Sequence, residues 1–89
     1  MTPPWKFVRM VWLDAFSEDP WTELDKYELS DHPVISFGYL VRETKNYHLL
    51  AANVSLGDNN SWEGCALMAI PKRMVLSVNE MAIPPEEAS

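Results

Sequence analysis

Eighty-nine residues suffice for one domain and are too few for two. They are 47% hydrophobic, 11% aromatic and 22% charged, with a formal net charge of -6, a mixture that excludes a disordered tail and a general nucleic-acid binder. No apolar run approaches the roughly 18 residues of a membrane-crossing helix, and a single cysteine, Cys65, excludes an intrachain disulfide.

The opening Met1-Thr2-Pro3-Pro4 reads as an extended lead-in, because proline disfavours helix. It lacks the charged and apolar regions of a secretion signal, which together with the lone cysteine leads us to expect a cytoplasmic protein. Residues 5–13, WKFVRMVWL, alternate as a strand. Trp5, Phe7, Val11 and Leu13 share one face and Val8, Met10 and Trp12 the other, so both faces need cover. From Asp14 to Asp31 the chain changes character: seven carboxylates face one cation, Lys26. Thr22 and Asp25 resemble a helix-capping pair, so this acidic stretch reads as a short helix or an irregular excursion.

Residues 34–42, VISFGYLVR, form the second expected strand, with Gly38 marking a bulge or bend. Glu43 to Asn46 is a hairpin turn, and residues 47–55 are the third strand. The loop Gly57-Asp58-Asn59-Asn60-Ser61 leads through Trp62 to a short apolar strand at 64–70, GCALMAI, where Cys65 reads as a small buried hydrophobe. Pro71-Lys72-Arg73 reads as a tight helical turn before the last strand, at 74–81. The tail at 83–89 has little to bury and reads as frayed.

Five strands with turns about every ten residues argue for an all-β domain over residues 1–82, with an acidic insertion at 14–33. Their order resembles the small five-stranded barrels of SH3-like and Sm-like architecture. That resemblance implies a closed barrel and no functional residue. A second resemblance lies in the residues themselves. The string Ser36 to Thr44 (SFGYLVRET), then Tyr47, Leu50-Ala51 and Ile70-Pro71-Lys72, together with Trp12, Asp14-Ala15 and Trp21, resembles a group of short proteins of tailed bacteriophages and prophages. The group carries no catalytic motif. What it implies is context: a phage accessory protein in a bacterial host cytoplasm.

Catalytic and metal chemistry have no foothold. His32, His48 and Cys65 lack ligand spacing, no glycine-rich phosphate loop is present, and His48 alternates with Leu50 as an ordinary strand residue. We therefore expect no enzyme activity, no metal and no cofactor. The cations cluster more than chance spacing requires: Arg42 and Lys45 flank one turn, and Lys72 and Arg73 occupy another. If the turns share a rim, these four with Trp62 can hold a phosphate-bearing, nucleotide-type ligand between subunits, through guanidinium forks and aromatic stacking. Solvated turns are the plain alternative.

The acidic stretch supplies a competing surface. Asp14, Glu18 and Asp19 around Trp21 and Tyr27 can dock on a basic host protein, or can serve solubility alone. The surplus of Trp, Phe and Met exceeds what a small barrel can hide, so we expect a homo-oligomer. Three functions stay open: sequestration of a host nucleotide-type signal in counter-defence, inhibition of a host protein through the acidic surface, and a structural phage component.

Overall fold

The computed structural model describes residues 2–14, 25 and 33–83. Five strands form one antiparallel sheet: β1 (Phe7–Leu13), β2 (Pro33–Glu43), β3 (Tyr47–Leu56), β4 (Trp62–Pro71) and β5 (Val75–Glu80). The spatial order is β4-β3-β2-β1-β5. β2, β3 and β4 follow one another through short connections, and β5 returns to the far side of β1 after a 3₁₀ turn at Lys72–Met74. Every expected strand is present within two residues at its start, and the turn after Pro71 is helical as anticipated.

The expected barrel is absent. β4 and β5 lie at opposite edges of the sheet, and among the described residues nothing pairs them. Closure would need hydrogen bonds between those two edges at a staggered register, and β4, with ten residues, and β5, with six, make none with each other. Register shifts between Val11 and Trp12 and between Leu40 and Arg42 bend the sheet without joining its edges. Of the acidic insertion only Asp14, Asp25 and Pro33, all exposed, are described, Pro33 as the first residue of β2, and the tail beyond Ile83 lies outside the described residues.

One face carries the core. Val8 and Met10 of β1 pack with Leu50 of β3 and Ile70 of β4, flanked by Trp12, Leu40 and Val75. Alternation along each strand, with Leu40 opposite Leu50, brings these side chains to the same side. The Trp12 indole N–H, which burial would otherwise leave unpaired, donates to Ser36 Oγ at 3.0 Å. On the opposite face Phe7 meets Tyr39 edge to face, ring centroids 5.3 Å apart.

Two local expectations need correction. Gly38 does not mark the bulge. A Cβ there would lie 3.0 Å from the Ala51 carbonyl oxygen, so Gly38 serves the close approach of β2 to β3. The bulge falls at Val41 instead, where Leu40 pairs with Leu50 but Arg42 pairs with Leu49. Cys65 is exposed rather than buried, because β4 is an edge strand that lies open from Glu63 to Ala69. Large apolar side chains stay exposed beside it and elsewhere: Leu67, Met68, Leu76, Ile35 and Phe37.

Candidate ligand-binding site

The β2–β3 hairpin closes through Thr44, whose N–H donates to the Tyr47 carbonyl at 2.9 Å. The Thr44 hydroxyl oxygen accepts from the N–H groups of Asn46 and Tyr47 at 3.3 and 3.0 Å. This hydroxyl-stabilised turn leaves Lys45 exposed at its tip. Across the sheet, β4 ends at Pro71, directly opposite Tyr47. Proline cannot continue the ladder as a donor, and the 3₁₀ turn begins there. The Lys72 backbone N–H then donates to the Asn46 carbonyl at 2.8 Å, locking the two turns together. Between them lies a pocket of about 510 Å³ lined by Lys45, Asn46, Tyr47, Pro71, Lys72 and Arg73.

The cations are held differently. Lys72 Nζ sits 2.8 Å from Glu43 Oε1, a half-exposed pair. The Lys72 hydrogen bond and charge hold the Glu43 carboxyl below its usual range, and more distant His48 and Lys6 add to the effect. His48 Nδ1 is 3.9 Å from the same oxygen, too far for a hydrogen bond, and this buried nitrogen has no partner among the described residues. Lys45 and Arg73 are exposed and form no ion pair with described residues.

The five residues expected to share one ligand site divide in two. Lys45, Lys72 and Arg73 line the pocket between the turns. Arg42 and Trp62 lie instead in a smaller cleft of about 230 Å³, with Trp5, Val41, Leu49 and Leu67 among its walls. The shift at Val41 puts Arg42 opposite Leu49, on the face that also carries Tyr47 and Ala51, but along the strand from the two turns rather than in them. The Trp62 ring meets Trp5 edge to face, centroids 5.6 Å apart and planes at 76°.

The neighbouring loop also turns inward. Gly57 N–H donates to Ser61 carbonyl, Asn60 N–H to Gly57 carbonyl, and Asn59 Oδ1 accepts from Ser61 N–H. Asn60 takes the left-handed conformation that asparagine tolerates. Of the acidic candidates only Asp14 is described, and it is exposed; Glu18, Asp19, Trp21 and Tyr27 lie outside the described residues. Sequence reasoning missed Asn46, Tyr47 and Trp5. The first two adjoin Lys45 in the hairpin, so their place was readable once the turns were brought together.

Among the described residues no three His, Cys, Asp or Glu side chains gather to hold a metal ion. No helix among them is long and apolar enough to cross a membrane. No family model matches the chain, and no curated protein or solved structure matches it either.

Proposed function

We propose that the protein is a non-enzymatic binder of a phosphate-bearing, nucleotide-type small molecule, held at the junction of the β2–β3 hairpin and the 3₁₀ turn. The observation that carries this reading is the convergence of Lys45, Lys72 and Arg73 on one pocket, from turns joined by the Lys72–Asn46 hydrogen bond. Arg73 offers a planar fork for two phosphate oxygens, the lysines offer point charges, and the Asn46 amide offers a donor. The pocket volume falls within the roughly 300–1,000 Å³ of small-ligand sites. The chain's net charge of -6 favours a compact ligand over a long nucleic acid, whose flanking phosphates would meet the acidic remainder. In the phage setting implied by the sequence resemblance, such binding would sequester a host signalling nucleotide.

The test is a panel of linear and cyclic nucleotides read by thermal melting. A ligand at a hundredfold excess over its Kd adds about 2.7 kcal/mol, or roughly 10–20 °C in a domain this size. Unmoved melting across the panel, with pyrophosphate included, removes the proposal.

Assembly belongs to the same proposal. The β4 edge runs from Gly64 to Pro71 without a charge, and Leu67 is 57% exposed on it. Uncharged, apolar edges are the kind that pair with another chain. A second copy is the partner that every solution of this protein contains, so we expect an oligomer by native mass spectrometry; a monomer at all concentrations contradicts it.

A further inference from the structure

We propose that the cleft between Trp5 and Trp62 is a second binding site, for a planar heteroaromatic ring such as a nucleobase. It rests on the reading above only in that both sites serve one ligand. The cleft itself stands on separate observations. Trp5 and Trp62 meet edge to face, an arrangement that leaves ring faces available for stacking. Arg42 and Glu63 stand at the same cleft. They bring a fork of donors and a pair of acceptor oxygens, the complement of a base edge. The volume, about 230 Å³, is below the range of drug-sized sites. It suits one ring system and not a whole nucleotide.

The backbone supports a built site. Ala66, in the adjoining stretch of β4, has φ 55°, a left-handed conformation that costs alanine roughly 1–2 kcal/mol. Gly64 keeps the wall thin: a Cβ there would press within 3.3 Å of Leu67 Cδ2. Strain of this sort concentrates where a surface is shaped for binding.

The two sites share one face of the sheet. Register pairs Tyr47 with Pro71, Leu49 with Ala69 and Ala51 with Leu67, successive steps on the same side. Tyr47 and Pro71 line the cationic pocket; Ala51 and Leu67 line the aromatic cleft. Four residues of strand separate Tyr47 from Ala51, roughly 13 Å at about 3.3 Å per residue. Arg42, opposite Leu49, lines the cleft on the Tyr47 side of Ala51. A ligand that places a ring at one end and phosphate at the other must therefore be longer than a mononucleotide, on the scale of a dinucleotide.

The experiment uses three probes on the full chain: adenosine, pyrophosphate and a 5′-phosphorylated diadenosine dinucleotide. The readout is the set of tryptophan indole N–H resonances, assigned through single Trp→Phe variants. Trp12, whose N–H is held by Ser36 on the other face, is the internal control. Adenosine is expected to shift the Trp5 and Trp62 resonances and leave Trp12 in place. The dinucleotide should bind at least tenfold more tightly than either fragment, and Arg42→Gln, an exposed position, should weaken adenosine severalfold with pyrophosphate unchanged. If adenosine moves neither resonance, or moves Trp12 equally, the cleft is not a ring site. If adenosine binds as expected and pyrophosphate does not, the cleft stands and the phosphate reading falls. A dinucleotide no tighter than adenosine overturns the shared ligand.

Discussion

Lys72 donates its backbone N–H to the Asn46 carbonyl, and its side chain bonds Glu43 at 2.8 Å. One residue thus ties the 3₁₀ turn to the hairpin twice, through backbone and side chain. Glu43 has an opposing influence on an anion at the pocket: it positions Lys72 yet offsets its charge.

Replacing Glu43→Gln should strengthen pyrophosphate binding severalfold, since the amide removes a negative charge while the cations remain. The gain should shrink as salt rises and screens exposed charges. Titration calorimetry at two ionic strengths checks it. Weaker binding by the variant would show that Glu43 serves mainly to orient Lys72.

Acid should weaken the same tie. The Lys72 ammonium holds the Glu43 carboxyl below the ordinary carboxylate range, so its contribution to stability is present above the unfolded value and is lost as pH falls through the folded one. The melting difference between wild type and Glu43→Gln should be constant near neutral pH and close as pH falls through the carboxylate range. A difference that grows on acidification contradicts the assignment.

Two backbone positions should respond in opposite directions. Gly38→Ala forces a Cβ against the Ala51 carbonyl and should cost about 1–3 kcal/mol. Ala66→Gly relieves the left-handed strain and should raise the melting temperature by several degrees. Thermal denaturation of the two variants settles both, and a destabilised Ala66→Gly would deny the strain.

The exposed edge yields a test of assembly. Met68 is 43% exposed on β4, and Met68→Lys adds the charge with which edge strands discourage pairing. Native mass spectrometry should show the variant shifted to monomer with its melting curve cooperative. An unchanged oligomer moves the contact away from β4.

Much of the fold was legible because alternation records which residues share a face. Val8 and Met10 announce the core strand, and Pro71 announces the turn. Closure was not legible. Nothing in VLSVNE states that β5 pairs β1 and leaves β4 open, since that follows from the tilt and bend of the whole sheet. The site was half legible for a related reason. Lys45, Lys72 and Arg73 lie in turns, where proximity follows from one hairpin register. Arg42 lies in a strand, and one extra residue at Val41 sets it beside Leu49, along the sheet from the turns. No local pattern marks that bulge, and the glycine that suggested one serves a close backbone approach instead.

The most direct test of the central claim is a backbone amide chemical-shift map of the isotope-labelled protein titrated with pyrophosphate. Shifts confined to Thr44–Tyr47 and Lys72–Met74, and abolished by combining Lys45→Ala with Arg73→Ala, are the expected result. No shifts at these two turns at millimolar pyrophosphate, or shifts concentrated elsewhere on the sheet, would contradict it.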